Sequence, residues 1–251
     1  MPVAGGGGIS INAISHSMGR PFETARRHIN ALIDDGLCVR TGTGVAVAPD
    51  LPDRPEIADL LAHLHDCLIW LIVQLRSYEV ALPHSPQDIP YRPDITLAAS
   101  IDLSLFAFDS VGRLYTDWLE MAVVNAVMAA SSRPITFDPT LARLYSEADT
   151  IPPAELRRAV SAASVARALG IPYSTVRRQV IAAIEADMLV ERDSGVIVHD
   201  AILAGPRVAL AGSAAVSRAA ALLGRLVSGG FPFDAPARAY IVSAPKLVQF
   251  D

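Results

Sequence analysis

The feature that most constrains this chain is a gapless internal repeat, which the sequence shows before any other signal is needed. Gly19 aligns with Gly170, an offset of 170 − 19 = 151. At that same offset Pro21 meets Pro172, Phe22 meets Tyr173 and Thr24 meets Thr175. Arg26 and Arg27 meet Arg177 and Arg178, and Ile33 meets Ile184. Val39, Gly44, Val45 and Val47 meet Val190, Gly195, Val196 and Val198. The register continues through Pro55 and Pro206, Leu71 and Leu222, and Leu75 and Leu226. Chance likeness in an Ala-rich chain scatters its matches; here the same punctuation returns in the same order. The chain must therefore build one local structure twice.

That local structure follows from the second copy. Ser161 is a good N-cap for a short helix over Ala162–Leu169, with Val165, Ala168 and Leu169 as its apolar stripe. Gly170 supplies a tight turn, and Pro172 stands where a second helix begins. Tyr173, Val176, Val180, Ala183 and Ile184 recur at helical spacing. Beyond Asp187, two short apolar runs flank the polar tip Glu191–Gly195, which predicts a β-hairpin. In the first copy the short helix covers about Asn12–Met18 and the longer one runs from Pro21 to about Asp35. Phe22, Ala25, Ile29, Leu32 and Ile33 are expected to face inward, and Leu37–Arg40 and Gly44–Ala48 to form the hairpin around Thr41, Gly42 and Thr43.

Helix, tight turn, longer helix with an arginine pair, then hairpin: in Gly170–Val180 and Gly36–Arg40 the sequence resembles the winged helix-turn-helix families of bacterial transcriptional regulators. The resemblance covers two stretches of about forty residues each. It implies a mostly α fold with small β-hairpin wings, two winged helix-turn-helix modules around a helical core. It also implies double-stranded DNA as partner and control of transcription as the role. The expected boundaries are a first module over 9–50, a helical core or dimerisation region over 51–137, a second module over 138–200, and a C-terminal helix and tail over 201–251. The family module carries a further helix before its turn motif. Thr140–Glu147 is a candidate in the second copy. In the first, only the Gly5–Gly8 leader precedes the motif, so another part of this chain, or a partner subunit, is expected to cover that face.

In such modules the second helix enters the major groove and its N-terminal residues meet base edges. The residues so implied are Arg20, Glu23, Thr24 and Arg27 in the first copy, and Ser174, Thr175 and Arg178 in the second. Arginine suits guanine because its planar fork matches two acceptors. Arg26 and Arg177 are expected on phosphate. The wings would add Arg40, Thr41 and Thr43, and Arg192 to Ser194. Glu191 and Asp193 oppose phosphate in the second wing, so the first copy is the better DNA reader.

Charge bears on this reading. The net charge is −5, and charged residues are 19% of the chain, so bulk attraction cannot hold nucleic acid and a local basic patch must. Apolar residues make up 51%, enough for a sizeable core, and aromatics only 6%, which favours helix. Cys38 and Cys67 suit a reducing cytoplasm and not a disulfide scaffold. Met1–Gly8 does not read as a secretory signal, and Leu68–Val73 is too short to span a bilayer, so no membrane partner is expected.

Between the copies, Ile57, Leu60, Leu61, Leu64, Leu68, Leu71 and Leu75 make one stripe, and Ile69–Val73 is apolar all round. That pattern predicts a buried helix. Leu82–Asp94, with four prolines, reads as a linker or ordered loop, and a second apolar helix is expected over about Leu114–Ala130. These helices are expected to form a core, which could also serve a homodimer or hold a small-molecule effector. His63, His65 and Cys67 do not make a metal site, because His65 points away from the face His63 and Cys67 share. Asp138, Glu147 and Asp149 form no constellation with a nucleophile, and the leader glycines precede no phosphate-binding helix. No catalysis and no cofactor is expected. The alternative classes are a winged-helix module for protein contact in chromosome organisation or replication initiation, and an effector-gated regulator.

Overall fold

The computed structural model describes residues 7–112, 115, 117–147, 150–193, 195–246 and 250. Leu114, Asp149, Ser194 and the first half of the Gly5–Gly8 leader lie outside the described residues. The chain is mostly helical, with two small antiparallel hairpins. It divides into two compact units, Met1–His63 and Leu64–Asp251.

In the first unit, Ser10 caps α1 (Ile11–Ser17) by accepting from the Ala13 N–H at 3.2 Å. Gly19, at φ +59°, turns the chain where a side chain would be strained, and α2 (Phe22–Asp34) follows. β1 (Cys38–Thr41) pairs antiparallel with β2 (Gly44–Val47), Thr41 facing Gly44, so the turn is the two residues Gly42 and Thr43. Ile9 adds a bridge to Val45, closing the hairpin onto the start of the motif. Arg54 then ties the chain down: its guanidinium donates to the Gly36 carbonyl at 2.7 Å and pairs with Asp50 at 3.0 Å. From there α3 (Pro55–Ser77) begins.

The second unit repeats these elements at the same offset. α7 (Ala162–Leu169) is capped by Ser161, Gly170 turns at φ +64°, and α8 (Tyr173–Glu185) matches α2 residue for residue. β3 (Leu189–Arg192) and β4 (Gly195–Val198) match β1 and β2, and Val160 bridges to Val196 as Ile9 does to Val45. Arg192 is therefore inside a strand, one step short of the tip expected for it. After the short α9 (Asp200–Leu203), α10 (Pro206–Ser228) stands at the offset of α3.

Among the described residues, the second repeat has a helix with no counterpart on the first, α5 (Trp118–Thr136), capped by Asp117. It packs on α7, α8 and β4. Its Val123, Val124, Val127 and Ala130 join Val165, Val176, Val180, Leu189 and Val198 in one buried core. The covering helix thus lies upstream of the Thr140–Glu147 stretch, where only the short α6 (Pro139–Leu144) forms. Trp118, at the start of α5, is exposed.

A second core joins the later part of α3, through Leu68, Ile69 and Ile72, with Leu222 and Leu226 of α10 and with Phe231 and Phe233 beyond it. α4 (Pro93–Gly112), which the proline-rich reading of Leu82–Asp94 did not foresee, packs along α10, with Asp102 paired to Arg225. The tail is held by a buried carboxylate. Asp66 accepts from the N–H groups of Ile241, Val242 and Ser243 at 2.9, 2.9 and 3.0 Å. His65 bridges Asp66 and the Tyr91 hydroxyl, 2.9 Å to each, so both its ring nitrogens are engaged. Burial pushes the Asp66 carboxyl up, but the His65 and backbone hydrogen bonds outweigh it and hold it below its ordinary value. Among the described residues one helix, α10, is long and apolar enough to cross a membrane, and little of it is buried.

Candidate nucleic-acid interface

The outer face of α2 is set by the turn before it. With Ala25 and Ile29 buried, helical spacing leaves Glu23, Arg26 and Arg27 exposed. Glu23 and Arg26, three apart, close a two-pronged ion pair at 2.8 and 2.5 Å. The hydrogen bond from Arg26 holds the Glu23 carboxyl below its ordinary value. Half of the charge assigned to phosphate binding is thus already matched within the helix, a pairing the spacing alone could have signalled. Arg27, exposed beside them, makes no hydrogen bond or ion pair among the described residues.

The other candidates of the first repeat divide between two surfaces. Arg20, Thr24 and Thr41 line an apolar groove on the unit, while Thr43 lies at the hairpin turn. Arg40 is exposed and donates to the Asn30 side chain at 2.7 Å, which ties the hairpin to α2.

In the second repeat, Ser174, Arg177 and Arg178 are exposed and Thr175 is half-buried. Neither Arg177 nor Arg178 is paired among the described residues, and the Glu23 position is occupied by Ser174. Its recognition-type face is therefore the less neutralised of the two. The hairpin behaves oppositely. Arg192 is drawn back to Glu155 at 3.2 Å, leaving Glu191 and Asp193 exposed.

The groove has a volume of about 920 Å³, and every described residue that lines it belongs to the first unit. Ile14, Ile29, Cys38, Val45 and Val47 form its apolar floor and walls. It occupies the face that α5 covers in the second repeat. Ile9 is 57% exposed and its counterpart Val160 4%; Val47 is 60% exposed and Val198 2%. The sequence signalled the missing leading helix, with another part of this chain or a partner subunit expected to cover the face; among the described residues no other part of the chain lines it, and that Arg20, Thr24 and Thr41 border it was not foreseen. Among the described residues no group of three or more His, Cys, Asp and Glu side chains is placed to hold a metal ion. Compared with family models, curated proteins and solved structures, the chain matches none of them.

Proposed function

We propose that this chain is a sequence-specific, double-stranded-DNA-binding regulator of transcription, built on two winged helix-turn-helix modules beside a helical core. The observation that carries the reading is the exposed arginine pair on the second helix of each repeat, behind the same tight turn and ahead of the same hairpin. Arg27, Arg177 and Arg178 offer guanidinium groups with no partner of their own among the described residues. Such groups suit phosphate and guanine, and they supply locally the positive field that a net charge of −5 denies the chain as a whole.

The test is a fluorescence-anisotropy titration with duplex fragments from around the gene, at two salt concentrations. Tight binding that weakens steeply with salt is expected, with fragment competition revealing a preferred site. Arg27→Ala should cost about 1–3 kcal/mol on that site and relax base preference there. Arg26→Ala should weaken all duplexes alike and flatten the salt slope. Glu23→Gln should do the reverse, because it releases Arg26 from its ion pair. No binding at low salt overturns the reading. The open groove of the first repeat favours the second reading, a winged-helix module for protein contact. A small-molecule effector is a third; the groove that would hold one lies on the first repeat, not in the helical core.

A further inference from the structure

We propose that the groove of the first repeat is a docking site for a second copy of this chain, and that it receives the first turns of that copy's α3. The proposal does not depend on DNA binding.

The shape of the occupant follows from the second repeat. On the same backbone, the same face is filled by a helix that presents Val123, Val124, Val127 and Ala130. Packing of that kind brings helix axes to about 8–10 Å and needs a ridge of medium apolar side chains. The groove of the first repeat offers equivalent walls with Ile9, Leu32 and Val47 left in water.

The charge of the occupant follows from the rim. The polar groups along the groove are Arg20, Thr24, His28 and Thr41, and no carboxylate is among the described residues that line it. A docked helix should therefore carry acids beside its apolar ridge. Residues 55–63 of α3 fit. Glu56, Asp59, Leu60 and His63 follow one another at helical spacing and all are exposed, Leu60 by 52%. Ile57 and Leu61 flank that leucine, and the segment contains no Lys or Arg. The start of α10, at the same place in the second repeat, has Arg207 and no acid, the wrong sign for this rim.

Within one copy the helix does not reach its own groove. Arg54 fixes its start against the Gly36 carbonyl and Asp50, and no described residue beyond Pro49 lines the groove. Between two copies, each both gives a helix and receives one. That exchange is isologous, so it closes as a two-fold dimer and does not run on into a fibre.

Sedimentation equilibrium of the full chain tests this. A reversible dimer is expected, weakened at least about tenfold by Val47→Glu, by Leu60→Asp, and by Glu56→Lys with Asp59→Lys. These positions are exposed, so circular dichroism should show each variant folded. In a Leu60→Cys, Cys67→Ser chain, mild oxidation should join position 60 of one copy to Cys38 of the other and give a product of dimer mass. A full chain that stays monomeric at about 100 μM, well above the range of a specific dimer, overturns the proposal. So does a dimer that all three sets of changes leave intact, which would put the interface elsewhere, for example on the exposed Leu210 and Val216 of α10.

Discussion

The first and second repeats share a backbone and differ in what lies against it. Helix starts, strand registers, the serine caps and the glycine turns coincide at one offset, and α7 runs one residue longer than α1. Yet the second repeat buries Val160, Ala183 and Val198 in the core that α5 joins, while their counterparts Ile9, Leu32 and Val47 in the first remain in solvent. Local sequence therefore suffices for the helix, turn, helix and hairpin, and the stability of the finished unit is decided by whether a further helix completes its core. The long helices diverge in the same manner. His65 and Asp66 of α3 are buried and hydrogen-bonded, whereas the same places in α10 hold Val216 and Ser217, both exposed.

The sharpest way to break this comparison is one substitution at two equivalent places. Val198→Glu puts an unpaired carboxylate into the core beneath α5, and should cost at least about 3 kcal/mol or unfold the unit. Val47→Glu should change the stability of the isolated chain by less than about 0.5 kcal/mol. Urea denaturation followed by far-ultraviolet circular dichroism reads both. Equal losses would mean that the first repeat is covered after all, and the contrast between them would disappear.

The second prediction concerns the carboxylate that only α3 carries. Asp66→Asn leaves one oxygen to serve three backbone N–H groups and His65, and should cost about 2–3 kcal/mol. Hydrogen exchange should show Ile241, Val242 and Ser243 losing protection first. The pH dependence has a definite sign. The folded value lies below the ordinary 3.8, so the contribution is fully present above that pH and is lost as pH falls through the folded value. The native chain should release its tail in acid, and Asp66→Asn should abolish that step. Ser217→Asp, at the same place in α10, should produce no such step, because that site is exposed.

Much of this was legible in residues that act locally. Ser161, Gly19 and Gly170, and Pro21 and Pro172 marked the turn motif, and short apolar runs around a polar tip marked both hairpins to within a residue or two. Tertiary effects were not legible. α4 follows a run of prolines, and its apolar residues fall on every side with Ser100, Asp102 and Ser104 interspersed, so it gives no periodic signal. α5 could be read as an apolar helix, but nothing in its sequence says that its partners are α7, α8 and β4. The Asp66 clamp joins groups some 175 residues apart, a pairing that no local pattern encodes. At the candidate interface the types of residue were readable. Their division was not: Arg27, Arg177 and Arg178 stand clear, Arg26 and Arg192 are paired with acids, and Arg20 borders the groove.

The smallest expected effect lies where the repeats agree in backbone and differ in chemistry. The turn after the second helix places Gly36 at φ +69° and its counterpart Asp187 at φ +56°. A side chain in that left-handed region costs about 1 kcal/mol, somewhat less for Asp than for most residues. Replacement by Gly relieves the strain but frees the unfolded chain, which takes back part of the gain. Asp187→Gly should therefore stabilise the second unit by about 0.5 kcal/mol, and Gly36→Asp should destabilise the first by a similar amount. A Cβ at Gly36 meets the Arg54 guanidinium at an ordinary contact distance of 3.6 Å, so no clash adds to the strain of the second change, and the attraction of that guanidinium for an aspartate offsets part of it. Thermal unfolding of the two variants should thus move in opposite directions. Shifts of the same sign would mean that the two turns, alike in dihedral angle, are held by different interactions.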